Sequence, residues 1–107
     1  MRKITCEAVE ALKNGRAFNK SNTSVSFLHG LRGMELHGNH IASYNKEEKK
    51  LLIRDAWWQS NTTKERLNGI LWKFWLWGIF QKNWKWYYEN QFWKVEERTG
   101  EKVIELN

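Results

Sequence analysis

TSVSFLHGLRGMELHGNHIASYNKEEKKLLIRDA (residues 23–56) decides the fold class of this chain. Thr23, Val25 and Phe27 alternate with Ser24, Ser26 and Leu28, and Met34 and Leu36 alternate with Glu35 and His37. Period-two alternation puts one set of side chains on each face of a strand. The Gly30–Gly33 pair predicts a turn between the first two strands. Gly38-Asn39 predicts a tight two-residue hairpin, after which His40–Tyr44 runs back. Asn45–Lys49 reads as a charged loop. Lys50–Asp55 reads as the next strand, with Leu51 and Ile53 on one face. Strands connected this locally form an antiparallel meander.

Upstream, residues 5–14 predict a short helix. Thr5 is a good N-cap, Glu7 lies in the first turn, and Gly15 follows the end. Ile4 and Val9 suit a hydrophobic staple, and Ala8, Val9, Ala11 and Leu12 give an apolar stripe. Downstream, Trp57 and Trp58 open a loop through Gln59, Ser60 and Asn61. Adjacent rings at a strand end point to opposite faces, so one caps the core and the other lies exposed or under a loop. Thr62 with Glu65 three residues on forms a capping box. The helix it starts keeps its apolar spacing through Leu67, Ile70, Leu71, Phe74 and Trp75, with Gly69 inside it at a cost of about 1 kcal/mol. Ile79–Tyr88 reads as one strand, with Phe80, Lys82, Trp84, Trp86 and Tyr88 on one face. Glu89-Asn90 turns it, Gln91–Glu97 returns, Arg98-Thr99-Gly100 turns again, and Lys102–Leu106 is the last strand. The expected fold is α+β: an antiparallel β-meander sheet with two short helices packed on one side, in a single domain over 1–107.

Several function classes recede on composition. One cysteine, Cys6, allows no internal disulfide and no thiol-built zinc cluster. The charged start is unlike a signal peptide, and no run approaches the ~20 apolar residues of a membrane span. These features predict a soluble protein in the cytoplasm. The net charge of +6 favours anionic partners and speaks against a DNA mimic. That charge is spread over the chain: residues 1–20 hold five basic and two acidic side chains, residues 61–107 eight and six.

His37 and His40 flank the Gly38-Asn39 turn, where two imidazoles facing each other would suit a metal with help from Glu35 or Asp55. The strand–helix frame of a nuclease is missing around them, so packed or solvated turn residues are the expectation, and no metal or other cofactor is assigned. Glu47-Glu48 and Glu96-Glu97 are adjacent pairs, whose side chains diverge in a strand, and so make poor acid–base partners. No phosphate loop or nucleophile elbow occurs. A non-enzymatic role is expected. The start of the second helix, with Thr62, Thr63, Lys64 and Arg66, would suit a phosphate, although helix initiation explains these residues without a ligand.

The best lead is WKFWLWGIFQKNWKWYYENQFW (residues 72–93), which holds six of the eight tryptophans with lysines between them. Phe80, Trp84 and Trp86 are expected mainly in the core. Trp58, Trp72, Trp77 and Trp93 are more than a small core needs, and large exposed aromatics mark interfaces. The candidate binding residues are Trp58, Trp72, Lys73, Trp77, Lys82, Trp84, Lys85, Trp86 and Trp93. They suit a host protein, or alternatively nucleic acid with bases stacked on Trp84 and Trp86 beside Lys82 and Lys85. A homodimer burying the rings is a further expectation.

Short motifs carry a resemblance across most of the chain. They are the start Arg2-Lys3-Ile4-Thr5, Asn22-Thr23, Leu36-His37-Gly38-Asn39 with Ile41-Ala42, Trp57 or Trp58, Asn61-Thr62-Thr63-Lys64-Glu65-Arg66-Leu67-Asn68, and Gln81-Lys82-Asn83 with Trp86-Tyr87. With these the chain resembles a group of small orphan proteins of tailed bacteriophages. The aromatics between Trp72 and Trp77 depart from that pattern. The resemblance implies a viral origin and an accessory role in an infected bacterium. Together with the surplus tryptophans and the missing catalytic chemistry, it leads to the expectation that the protein binds and inhibits a host enzyme or defence complex. It brings no catalytic residue with it.

Overall fold

The computed structural model describes residues 2–28, 31–56, 60–83, 85–88, 91–93 and 101–106. Helix α1 (Lys3–Asn14) leads into strands β1 (Phe18–Lys20), β2 (Thr23–Leu28), β3 (Leu31–Leu36), β4 (Asn39–Asn45) and β5 (Lys50–Arg54). Helix α2 (Asn61–Lys73) follows, then β6 (Phe80–Lys82), β7 (Lys85–Tyr88), β8 (Gln91–Trp93) and β9 (Glu101–Glu105). Six strands form one antiparallel sheet in the order β1-β2-β3-β4-β5-β9, and β6-β7-β8 form a second, smaller sheet. The α+β meander with two helices alongside is therefore present.

The alternation of 23–56 settles the burial. Val25, Met34, Leu36, Ile41, Ala42, Leu51 and Ile53 face inward. The helices cover that face with Ala8, Val9, Ala11 and Leu12 from α1 and Leu67, Ile70 and Leu71 from α2. Ile79, Trp86 and Tyr88 extend the same core. Aliphatic and aromatic burial of this kind is the main source of stability, about 25 cal/mol per Å² of apolar surface.

Several expected boundaries move. α1 begins at Lys3, so Thr5 lies inside the helix and is fully buried, and Arg2 precedes the first turn without a side-chain cap bond. The staple pairing of Ile4 and Val9 lapses with that shift. Strand β1 was not expected. Gly33 stands within β3, opposite Ser26 and Ser43, so it is no turn residue. The β3–β4 hairpin turns on His37-Gly38, not Gly38-Asn39. Leu36 pairs with Asn39, and both loop residues have positive φ (52° and 79°), as the tight hairpin twist requires. The α2 cap is Ser60, whose Oγ accepts from the Thr63 N–H at 3.1 Å. Thr62 is in the first turn instead, and Glu65 points elsewhere. The helix stops at Lys73, short of Trp75.

The largest correction is at Ile79–Tyr88, which is a hairpin and not one strand. Lys82 pairs with Lys85, and Asn83 takes φ 53°. Cross-strand partners share a face, so the face assignment changes past the turn. Phe80 now shares its face with Tyr87 and Lys82 with Lys85. Phe80 is consequently exposed, while Ile79, Trp86 and Tyr88 go to the core. The last strand runs Glu101–Glu105, one residue earlier than expected, and pairs with β5. The expectations for Trp57, Trp58, Trp84, the Glu89-Asn90 turn, Lys94–Glu97 and Arg98-Thr99-Gly100 lie outside the described residues.

A buried polar cluster ties α1, β2 and α2 together. Arg66, 1 % exposed, donates from Nε to Thr23 Oγ1 at 3.1 Å and from Nη1 to Thr5 Oγ1 at 2.6 Å. It also pairs with the Glu65 carboxylate. That carboxylate accepts from the Thr5 hydroxyl at 2.7 Å and from the Arg2 N–H at 2.8 Å. A buried cation is tolerable only when so many of its donors are met.

Candidate functional site

The tryptophan turn grows out of the end of α2. The Leu76 N–H bonds to Leu71 O at 2.8 Å, and the Trp75 N–H bonds to Trp72 O at 3.0 Å. These two bonds make a Schellman motif, which needs a left-handed residue at its corner. α1 ends with the same long-range bond, Arg16 N–H to Ala11 O at 2.9 Å, and places Gly15 at φ 73°. In α2 the corner is Trp75, at φ 62°. An L-residue there gives up roughly 1–2 kcal/mol that glycine would keep. Ser21, His37, Lys49, Ala56 and Asn83 also have positive φ, but Trp75 is the one tryptophan so placed among the described residues.

That corner directs the rings outward. Leu76 turns back toward the core, whereas Trp75 is 92 % exposed, Trp77 83 % and Trp72 54 %. A ring of this size removes 150–250 Å² from water when buried. At 25 cal/mol per Å² the rings of Trp75 and Trp77 each forgo roughly 4–6 kcal/mol, and the half-covered ring of Trp72 about half of that. The segment beyond the corner is nonetheless fixed. Asn68, in α2, accepts from the Ile79 N–H at 2.5 Å and donates to Ile79 O at 3.1 Å. Gly78 lies so close that a Cβ there would stand 2.8 Å from Trp72 Nε1 and 2.9 Å from Asn68 Oδ1. The exposed rings thus stand on a braced connection.

The expected binding residues separate. Trp72 and Trp77 are exposed, as a binding face requires. Lys73 is engaged by Glu10, whose carboxyl is held below the ordinary carboxylate range first by the Lys73 hydrogen bond. Lys82 and Lys85 are exposed cross-strand neighbours at the end of the small hairpin. Trp86 is 1 % exposed, so it is a core residue and offers no face to a base. Its burial follows from the hairpin register. For Trp93 only the strand is described, and Trp58 and Trp84 lie outside the described residues. Trp75 was missed because its helical spacing with Leu71 read as a core stripe. No glycine stands between Lys73 and Trp77, which was the available signal that another residue would take the corner.

The chemical alternatives fare differently. His37 sits in the turn and His40 pairs with Glu35, so the two imidazoles do not face each other. His40 Nε2 is 2.8 Å from Ser43 Oγ. Among the described residues no three His, Cys, Asp or Glu side chains are placed to hold a metal. The expected phosphate end of α2 also changes: Arg66 is buried in the polar cluster, and the hollow beside Ser60 and Thr63 includes Asp55, a fully buried carboxylate side chain. Among the described residues no helix is long and apolar enough to cross a membrane.

Across residues 1–104 the chain matches the family described as Kyanoviridae Gp96 protein. It belongs to this family of phage proteins, which agrees with the viral origin expected from its motifs. No curated protein and no solved structure is similar.

Proposed function

We propose that this phage protein is a non-enzymatic binding module of the infected bacterium's cytoplasm. It holds a host protein through Trp72, Trp75 and Trp77 and thereby inhibits it. One observation carries the reading: a tryptophan occupies the strained left-handed corner of a braced helix terminus with its ring in water. Strain persists where the surrounding structure enforces it, and it clusters at functional positions. Tryptophan is among the residues enriched at the hot spots of protein interfaces, and a side chain fixed before binding costs less to order.

The test compares two baits in host lysate treated with nuclease: the natural protein and the Trp75→Ala/Trp77→Ala variant. The reading expects a host protein enriched on the first and absent from the second, with the variant's Tm unchanged or higher. An identical set of proteins on both baits would refute it.

A second reading has its own support. Phe80 and Tyr87 stack at 5.3 Å on the outer face of the small sheet, and Lys82 and Lys85 share that face. Rings beside lysines suit single-stranded nucleic acid. Fluorescence anisotropy of a labelled oligonucleotide at low salt decides it: binding lost in Lys82→Glu/Lys85→Glu supports this reading, and no binding removes it.

A further inference from the structure

Beside Trp75 runs a groove of about 530 Å³. Its lining includes Tyr44, Phe74 and Trp75 as apolar surface and Lys13, Lys46 and Lys49 as charge. Tyr44 and Phe74 pack with centroids 4.7 Å apart. The Lys13 ammonium lies 5.7 Å from the Phe74 ring and also donates to Lys73 O at 3.4 Å. The loop between β4 and β5 reads Lys46-Glu47-Glu48-Lys49 and carries no net charge. Its lysines line the groove and its glutamates do not. Glu48 is bound back to Asn45 through its Oε1 and its N–H. The Lys46 and Lys49 side chains are exposed and have no ion pair or hydrogen bond to the described residues. Among the described residues Glu105 is the single carboxylate of the lining.

We infer that this groove takes an acidic segment of the bound protein, one that sets an apolar side chain against Tyr44, Phe74 and Trp75 and its carboxylates against Lys46 and Lys49. The inference rests on the partner-binding reading above and names the chemistry of the partner. An apolar floor supplies contact, and a rim in which three lysines outnumber Glu105 supplies orientation and disfavours cationic segments. Lys13, already over Phe74, holds the floor and adds positive potential. Lys46 and Lys49 are the cations with donors to give.

Anisotropy of short labelled peptides added to the intact protein tests this. A peptide alternating Glu with Leu should bind, and a Gln–Leu counterpart should bind about tenfold more weakly. Raising salt from about 0.05 to 0.3 M should weaken the Glu–Leu peptide and leave the counterpart unmoved. Lys46→Glu/Lys49→Glu should lose about tenfold at unchanged Tm, whereas Lys20→Gln, on β1, should lose nothing. Equal binding of the two peptides, no binding of the acidic one, or indifference to the lysine reversal would overturn the inference. Tighter binding of phosphatidylglycerol vesicles or of an oligonucleotide than of the peptide would also overturn it, and would assign the groove to that anion. In the bait experiment, loss on the Trp75/Trp77 variant with retention on the lysine reversal would refute the groove assignment while sparing the tryptophan reading. Retention on both would refute the two together.

Discussion

Arg66 shows how far a single residue can depart from what its neighbours in sequence suggest. In the helix pattern it stands as a surface cation near a phosphate-ready end, yet it is the buried hub between Thr5, Thr23 and Glu65. Replacing it with alanine should destabilise the fold by about 3–5 kcal/mol in urea denaturation, because the buried guanidinium's bonds to Thr5, Thr23 and the Glu65 carboxylate are lost together. The same cluster sets a pH dependence. Burial works to raise the Glu65 pKa, but the Arg2 N–H, the Thr5 hydroxyl and the Arg66 charge together lower it. A carboxyl with a depressed folded pKa stabilises the fold above its unfolded pKa, and that contribution is lost as pH falls through the folded value. Stability should therefore drop as pH passes below the usual carboxylate range, and Glu65→Gln should blunt that acid-side slope. The cluster was hidden from the sequence because Thr5, Thr23 and Arg66 lie far apart in the chain, and only the packed meander brings them together.

At the scale of elements, the end of α2 combines strain with bracing. Trp75→Gly should raise Tm, worth up to about 1–2 kcal/mol, because glycine accepts the corner without the Cβ conflict. The same change should abolish partner binding, a separation of stability from function that a packing role would not give. Gly78→Ala should go the other way and cost roughly 1–3 kcal/mol, since its methyl would push on Trp72 and Asn68. The strands of 23–56 were legible because most of one face is buried and a period of two is hard to mistake, although Phe27, 45 % exposed, ends that face in water. The 79–88 hairpin was not, because a two-residue turn leaves the alternation of ring and lysine looking like one strand. Only the pairing of Phe80 with Tyr87 reveals that the faces exchanged. Which tryptophans were surplus was half legible: Trp72 and Trp77 are exposed, while Trp75 was concealed by a helical period that ends two residues before it.

For the whole molecule, core and candidate face divide along the chain. The meander, both helices and the inner side of the small sheet make the core. The last turn of α2 carries the exposed ring of Trp72, the connection from α2 to β6 carries those of Trp75 and Trp77, and the β4–β5 loop brings lysines beside Trp75. A phage protein with this division has a face that is fixed before any partner arrives, which reduces the ordering cost of binding. The most direct measurement is host-protein capture by the natural protein against Trp75→Gly, with Tm recorded for both. The account predicts that the variant melts higher and captures nothing. A variant that melts higher and still captures the same host protein would contradict it.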